Sequence, residues 1–213
     1  MYKIIDMNES PRKAEFDRFA KASYPYCCLT VDVDVTALLG ACRAKGKSFN
    51  IALTHAVALA ADEIPVFRQR ISGDTVKEYD RCMTSHIELT DTDEVRYCNL
   101  RHDLPVKEHF EYAEKQIAEV KASRKLVITD TEDMYFTSCI PWVGYTQAVP
   151  ASNGESNPQF VWGGFRENAE GRIIMPFTVQ VHHALVDGLS MVRFYGALDG
   201  KIDALAKEIL RVF

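Results

Sequence analysis

Two adjacent histidines, His182 and His183, stand where an apolar run over residues 173–181 gives way to Asp187 and Gly188. The run is typical of a buried strand, and the Asp-Gly pair is typical of a turn. Imidazole titrates near neutral pH, so a neutral ring can accept a proton from a hydroxyl. Because successive strand side chains point to opposite faces, only one ring can face a given cleft. The pattern therefore indicates one positioned base beside a structural histidine, although a histidine packed before a turn would give the same pattern.

A serine elsewhere in the chain can supply the second group that acyl transfer to a hydroxyl needs. The reaction requires a base for the attacking oxygen and a hydrogen-bond donor for the oxyanion of the tetrahedral intermediate. Ser138 is the candidate donor, in a segment with the pattern of a strand. A strand serine bonded to the backbone is the alternative reading of this residue taken alone.

Three segments resemble the chloramphenicol acetyltransferase family. Residues 176–188 (PFTVQVHHALVDG) and the Val-Arg-Phe at 192–194 match the active-site signature of that family. Residues 138–143 (SCIPWV) are similar to its serine strand and the Pro-Trp pair that follows, and residues 12–16 (RKAEF) are similar to its N-terminal Arg-Lys-x-x-Phe. Chain length and the order of the segments also agree, so the resemblance extends from end to end.

The resemblance implies a fold, a reaction and a role for four residues. It implies a single α/β domain over residues 1–213, with the two-layer coenzyme A-dependent acyltransferase fold in which helices pack on one face of a mixed sheet. It also implies acetyl-CoA as co-substrate and a homotrimer with active sites between subunits. His183 becomes the general base and Ser138 the oxyanion donor, with direct transfer to the acceptor. The equivalent of Asp187 pairs with the N-terminal arginine in the family, so we expect an ion pair with Arg12 that holds the histidine loop.

The acceptor side departs from the family pattern. Arg18 and Phe19 stand where the related enzymes carry Phe-Tyr, and Cys27 stands where they carry another phenylalanine. Val161 replaces a threonine that helps to hold an ordered water. We count these four residues and Trp142 as substrate-binding. We expect a hydroxyl of chloramphenicol or a related small alcohol to be acetylated, chloramphenicol itself weakly; the alternative is a non-catalytic trimeric ligand-binding relative with a drifted acceptor pocket.

The composition excludes several other classes. The 213 residues carry a formal net charge of -5, without a basic cluster clear of acidic neighbours, so we expect no nucleic-acid or membrane partner. The apolar stretches fall short of the roughly 20 residues of a membrane helix, and the start lacks the apolar core of a signal peptide, so we expect a cytoplasmic protein. The six cysteines show no C-x-x-C and no paired metal spacing, which predicts free thiols and no metal site. We interpret His55, on a predicted helix, as a packed residue rather than a ligand.

The order of predicted elements fits one α/β domain. Ser10-Pro11 predicts a helix start, and alternating apolar residues over 26–35 predict a half-exposed strand with Asp32 and Asp34 facing solvent. The other predicted elements are a helix over 36–45 ended by Gly46, a helix from Ser48 to near Pro65, hairpins within 66–100, a long amphipathic helix after Pro105, the strand with Ser138, a polar loop over 151–158, a hairpin turning at 168–171, the strand into His183 and a last helix over 189–210.

Two further enzyme classes share parts of these patterns. The H-x-x-x-D-G pattern also occurs in acyltransferase cores of 2-oxo acid dehydrogenase complexes and in peptide-synthetase condensation domains, which belong to longer chains. A serine hydrolase would use Ser138 or Cys139 as nucleophile. The chain has no Gly-x-Ser-x-Gly elbow, however, and Cys139 on a strand should point away from Ser138. We therefore favour a transferase.

Overall fold

A computed structural model describes residues 1–123, 126 and 131–213. The helices are α1 (Lys13–Phe19), α2 (Thr36–Lys45), α3 (Phe49–Asp62), α4 (Val106–Ala122) and α5 (Gly188–Val212), with a 3-10 helix at Pro65–Arg68. The strands are β1 (Tyr2–Ile5), β2 (Tyr26–Asp34), β3 (Gln69–Ser72), β4 (Thr75–Tyr79), β5 (Met83–Leu89), β6 (Val95–Leu100), β7 (Met134–Ile140), β8 (Gln159–Gly163), β9 (Arg166–Glu167) and β10 (Ile173–His182).

The larger of the two sheets is mixed. Its strands follow the order β2-β10-β8-β7-β5-β6, with β9 paired to β10. Strand β7 runs parallel to both β5 and β8, and the other pairs are antiparallel. Strands β1, β4 and β3 form a separate three-stranded sheet. The predicted mixed sheet is therefore confirmed, together with a small second sheet that the sequence pattern did not indicate.

The hydrophobic core lies between one face of the larger sheet and the helices. Alternate residues of β10, from Met175 to Val181, point into it, and alternate residues of β2 do the same. Helices α2, α3 and α5 contact one another, α5 also contacts β2, and α4 packs against β6. At the centre the fully buried rings of Phe160, Phe177 and Phe194 pack together, and truncating one of them to alanine would cost about 3–5 kcal/mol. The predicted two-layer arrangement is confirmed.

Local chain signals account for several helix ends. Gly46 ends α2 with a φ of 62°, a left-handed conformation that favours glycine. The Ser48 side chain accepts a hydrogen bond from the Ile51 amide and caps α3. Helix α4 begins directly after Pro105, and the β3–β4 and β5–β6 hairpins lie within residues 66–100. These predictions from sequence are confirmed.

Three boundaries differ from the sequence prediction. Helix α1 begins at Lys13 rather than at Ser10-Pro11, because the Ser10 hydroxyl accepts from the Arg12 amide in a turn before the helix and Arg12 becomes the N-cap residue. Strand β2 ends at Asp34, one residue early, since Val35 already caps α2. Strand β10 ends at His182, so His183 belongs to the turn that follows.

The aspartates of β2 lie on the face away from the core, as predicted. They are nevertheless not simply solvated: Asp32 pairs with Arg166 and Asp34 pairs with Arg172. Both arginines belong to the hairpin that joins β9 to β10, so these ion pairs fasten that hairpin over the edge of β2. In the described part of the chain, no helix is both long enough and apolar enough to cross a membrane.

Candidate active site

His183 is held by the backbone of the turn that follows β10. Its amide donates to the Pro25 carbonyl at 2.7 Å, and the amides of Leu185 and Val186 both donate to the His182 carbonyl. The turn brings the Val186 carbonyl oxygen to 3.0 Å from Nδ1 of the His183 ring. A carbonyl can only accept, so Nδ1 carries the proton and Nε2 presents its lone pair. The ring is therefore in the tautomer that a base needs.

Two of the five residues predicted to bind substrate, Phe19 and Cys27, contact this ring. The ring of Phe19 packs on it with centroids 4.6 Å apart, and the guanidinium of Arg18 lies 5.3 Å from the centre of the Phe19 ring. Cys27 Sγ lies 3.8 Å from Nδ1 of His183. Burial raises the pKa of the Cys27 thiol to about 11, so the sulfur stays protonated at neutral pH. Strand β2 and helix α1 thus each pack a side chain against the imidazole, and we call His183 with Phe19 and Cys27 the histidine pocket.

The predicted ion pair between Arg12 and Asp187 is present. Arg12 Nη1 donates to Asp187 Oδ2 at 2.6 Å, and Arg12 Nη2 donates to the His183 carbonyl at 3.1 Å. The second carboxylate oxygen of Asp187 accepts from the Ser190 amide and caps α5. Burial opposes ionisation of this carboxyl, but the hydrogen bonds from Ser190 and the charge of Arg12 outweigh it and lower its pKa.

Asp187 therefore does not orient the histidine ring as the acid of a triad would. Both of its oxygens are engaged by Arg12 and Ser190, and within the described residues no carboxylate contacts the imidazole of His183. The carboxylate instead joins three pieces of chain: the start of α1, the histidine turn and the first turn of α5. Its position supports a structural role for the pair.

His182 lies on the other side of the strand from His183. It is buried and its ring meets Tyr26 edge-on at 5.6 Å. Burial, with a smaller contribution from the neighbouring His183, lowers the pKa of His182 to about 4. A ring with so low a pKa is a weak base at neutral pH, which is consistent with the structural interpretation of this residue.

Ser138 lies in a different part of the molecule, on β7. In the sheet register it is paired with Val161 of β8, which is paired in turn with Thr178 of β10. Ser138 and Val161 line a cleft of about 910 Å³ on the sheet face opposite the core. Cys139 instead packs against the core, so the prediction that it points away from Ser138 is confirmed.

Trp142 follows β7 and is 75% exposed. It is close in sequence to the serine strand, but it is not among the residues that line the cleft. In a single chain it therefore contacts neither the cleft nor the histidine pocket through any described interaction. An exposed side chain of this size is available to a ligand or to another subunit.

The cleft contains residues that sequence analysis missed. Ser85 and Tyr97, from β5 and β6, line it with Ser138. Tyr145 does not line the cleft but lies next to it: it donates to the carbonyl of the lining residue Val161 at 2.7 Å and accepts from the Thr178 hydroxyl at 3.3 Å. Tyr145 lies in an irregular segment without periodicity, and the other two become neighbours of Ser138 only through strand pairing, so no local signal could have identified them.

The histidine pocket and the serine cleft do not meet within one chain. His183 is five residues beyond Thr178 along β10, and β8 lies between β10 and β7. At about 3.3 Å per residue and about 4.8 Å per strand, the Cα atoms of His183 and Ser138 are roughly 20 Å apart. Both side chains cannot reach one reacting carbon across that distance.

Comparison with known proteins gives a consistent result. The family model described as chloramphenicol acetyltransferase matches residues 1–199. Chloramphenicol acetyltransferases of Klebsiella sp. and Escherichia coli are 26% and 25% identical over 208 residues, which is 95% of this chain and 94% of each relative.

Solved structures show the same fold. A chloramphenicol acetyltransferase superposes with a TM-score of 0.87 at 23% identity, covering 95% of this chain and 100% of the other. The dihydrolipoamide acetyltransferase of Azotobacter vinelandii superposes with a TM-score of 0.70 at 15% identity, covering 93% and 89%. The coenzyme A-dependent acyltransferase fold expected from the sequence is therefore confirmed. With a family model that spans nearly all of its length, the chain belongs to the chloramphenicol acetyltransferase family, whose members are acyltransferases that use acetyl-CoA.

Proposed function

We propose that this protein is an acetyl-CoA-dependent O-acetyltransferase that acts on a small hydroxylated acceptor by direct transfer. His183 is its general base and Ser138 its oxyanion donor. The observation that carries the proposal is the 3.0 Å contact between Nδ1 of His183 and the Val186 carbonyl, which leaves Nε2 free to accept a proton. The packing of Phe19 and Cys27 against the same ring supports it, because an acceptor in that pocket would lie beside the base.

The proposed reaction proceeds through one tetrahedral intermediate. The acceptor hydroxyl gives its proton to Nε2 of His183 while its oxygen attacks the thioester carbonyl of acetyl-CoA. The Ser138 hydroxyl donates a hydrogen bond to the oxyanion. Collapse of the intermediate breaks the carbon–sulfur bond, and the departing thiolate of coenzyme A takes the proton from the imidazolium. The acetyl ester and free coenzyme A leave with His183 neutral again.

The two cysteines nearest to the catalytic residues are poor nucleophiles. The thiols of Cys27 and Cys139 both have a pKa raised by burial to about 11. Each therefore stays protonated at neutral pH, and it is the thiolate that attacks. This supports direct transfer to the acceptor over a covalent acyl-enzyme.

The active site is proposed to form between subunits of a homotrimer. The separation of roughly 20 Å between their Cα atoms supports an arrangement in which His183 of one copy acts with Ser138 of another. The exposure of Trp142, 75%, and of its neighbour Val143, 51%, supports the same assembly, because an apolar surface next to the serine strand is suited to contact with a partner.

The acceptor is proposed to be a small alcohol other than chloramphenicol, or chloramphenicol used weakly. Arg18 and Cys27 bring less aromatic area to the wall around His183 than the residues that the family resemblance leads us to expect there. Each lost anchor removes about 1–3 kcal/mol of apolar burial, which raises KM before it affects the chemical step. Val161 also places a methyl group where a hydroxyl could bind water near Ser138.

The deciding experiment measures free thiol released from acetyl-CoA with a panel of hydroxylated acceptors that includes chloramphenicol. We expect release only when an acceptor is present, with a lower KM for another alcohol than for chloramphenicol. Release without any acceptor would favour a hydrolase. The second candidate function is that of a non-catalytic ligand-binding relative, which the altered acceptor residues also suggest. A protein that binds members of the panel but releases no thiol with any of them would favour it.

A further inference from the structure

Three histidines meet in the interior, away from the histidine pocket and the serine cleft. His55 lies on α3, His102 follows β6, and His109 lies on α4. All three are buried, and one ring nitrogen from each lies within 4.8 Å of the others. Sequence analysis considered His55 alone and predicted a packed residue. Its burial is confirmed, but the meeting with two other histidines depends on how α3 and α4 pack.

We propose that His55, His102 and His109 bind a divalent transition-metal ion, with Zn²⁺ as the natural candidate. Neutral imidazole is a preferred ligand of such ions, and three histidines are a complete protein ligand set for a four-coordinate site. The fourth position would be taken by water or by an oxygen ligand.

The positions of His55 and His102 fit this coordination. Their Nδ1 atoms are 3.2 Å apart. In a tetrahedral site with metal–nitrogen bonds of about 2.0–2.1 Å, two ligand nitrogens are separated by about 3.3 Å. The two rings therefore already hold the spacing of one edge of the tetrahedron, although a hydrogen bond between the two nitrogens has the same length.

Thr84 supports the site from behind His102. Its hydroxyl oxygen, fully buried, lies 2.8 Å from Nε2 of His102. If Nε2–H donates to that oxygen, Nδ1 is left with a lone pair directed at His55. Ligand histidines ordinarily use their second nitrogen in this way, in a hydrogen bond that fixes the tautomer and the ring plane.

His109 is the residue of the three whose position favours a metal site over a cluster held by hydrogen bonds alone. Both of its ring nitrogens are buried, and among the described residues neither has a hydrogen bond of normal geometry, although the backbone of Arg101 lies close enough to interact with the ring. A buried polar group without a good partner destabilises the fold, and a metal ion would remove that cost by binding one of these nitrogens. The His55 and His109 rings are stacked with centroids 4.0 Å apart, so one of them turns on binding.

A path to the site is present on the surface beside His102. An open cleft of about 270 Å³ is lined by His102 with Asp62 and Asp103 among its other residues. Arg81 and Arg101 line the same cleft, so the two carboxylates are balanced by two guanidinium groups, one of which pairs with Asp103.

The bound ion would be structural. It would fasten α3, the connection after β6 and α4 to one point, and it would add its binding energy to the stability of the fold. The inference does not depend on the proposed acyl transfer: a protein that binds the ion but transfers no acetyl group would still support it.

The test is metal analysis of the full-length protein, purified without a polyhistidine tag and stripped with a chelator, then titrated with Zn²⁺ and Co²⁺. We expect about one ion per chain, a Co²⁺ absorption band typical of tetrahedral nitrogen coordination, and a higher melting temperature with Zn²⁺ than without it. His109→Gln should abolish the Co²⁺ band. Thr84→Val, which keeps the shape of the side chain, should weaken binding by about tenfold or more.

His86→Gln is the matched control. His86 is also buried, but it pairs with Glu88 outside the three-histidine cluster, so this variant should bind the ions as the wild type does. If His109→Gln does not fold, the metal titrations of the wild type and of Thr84→Val still test the proposal. A wild type that neither retains nor gains Zn²⁺ or Co²⁺, or binding that is equal in the wild type, Thr84→Val and His109→Gln, would overturn the proposal.

Discussion

At the scale of single residues, the proposed chemistry depends on which nitrogen of His183 carries the proton. The carbonyl of Val186 fixes that choice, and its oxygen reaches Nδ1 only because the chain turns back directly after β10. The histidine itself could be identified from its motif. The partner that sets its tautomer could not be identified from sequence. The path of the turn depends on backbone hydrogen bonds that form only when β10 is paired in the sheet.

His183→Ala should abolish acceptor-dependent release of coenzyme A. Without the imidazole no group in the pocket can accept the hydroxyl proton, since the nearest alternative, the Cys27 thiol, is protonated. Steady-state thiol release measures the loss, and intact-protein mass spectrometry of the wild type with acetyl-CoA tests for an acyl-enzyme. A stable acetyl adduct, or near-normal turnover in the variant, would contradict direct transfer with His183 as base.

Ser138→Ala should lower kcat by about a hundredfold while KM for the acceptor changes little. An oxyanion donor acts mainly in the transition state, so its removal does not weaken ground-state binding. Ser85→Ala is a matched control, because it removes a hydroxyl from the same cleft at a position with no proposed role in catalysis. Equal rates for wild type and Ser138→Ala would remove Ser138 from the mechanism.

At the scale of elements, Asp187 connects the site to two helices. It caps α5 through the Ser190 amide and holds Arg12 at the start of α1, while Arg12 also binds the His183 carbonyl. The side chain of Arg12 is 17% exposed and that of Asp187 is 40% exposed, so solvent screens the pair and its main effect is to fix geometry.

Arg12→Ala and Asp187→Ala should each reduce turnover and melting temperature. The double variant should be no less active than the poorer single one, because the partners of one ion pair share the same loss. For stability, Asp187→Ala should remain the more harmful change, since it also removes the cap of α5. Turnover effects that simply add in a double-mutant cycle would contradict the coupling.

The stability effect of Asp187 should also depend on pH. Its pKa is lowered in the folded protein, so the ionised carboxylate stabilises the fold above its ordinary pKa of 3.8, and that contribution is lost as the pH falls through the folded value. The melting temperatures of wild type and Asp187→Asn should therefore differ most near neutral pH and converge below about pH 4. A difference that persists unchanged in acid would contradict this origin.

Sequence analysis was most reliable where an element depends on its own residues. The end of α2 at Gly46 and the start of α3 at Ser48 follow from one left-handed residue and one side-chain cap. The pairing of β1 with β4 in a separate sheet could not be predicted, because it joins segments about 75 residues apart without a local signal. The displaced start of α1 has a local cause: the Ser10 hydroxyl accepts from the Arg12 amide in a turn that precedes the helix.

At the scale of the whole molecule, the separation of His183 from Ser138 makes an assembly of several chains part of the proposed mechanism. That the chain is a single domain stays a prediction; one hydrophobic core that extends from Val33 to Ile209 supports it. Neither motif could show the separation, since each was identified from its own segment. It became visible only through the register of β7, β8 and β10.

Mixed assemblies of His183→Ala and Ser138→Ala should recover activity that neither variant has alone. In a cyclic trimer with both variants, one interface of three joins an intact His183 to an intact Ser138, so about a third of wild-type turnover is expected. Co-expression with two different tags and purification through both isolates these trimers, and each variant alone is the control. No recovery in a confirmed mixed trimer would mean that the two residues do not meet between subunits.

The way in which the His183 ring is held has an evolutionary consequence. The carbonyl that fixes its tautomer belongs to its own turn, at Val186, whereas Phe19 and Cys27 contact the ring from α1 and β2. If the proposed function holds, substitutions in α1 or β2 can change which alcohol fits while the base keeps its tautomer. A lineage with this architecture could exchange one acceptor for another through single mutations, each intermediate still active, and selection could then act on every step.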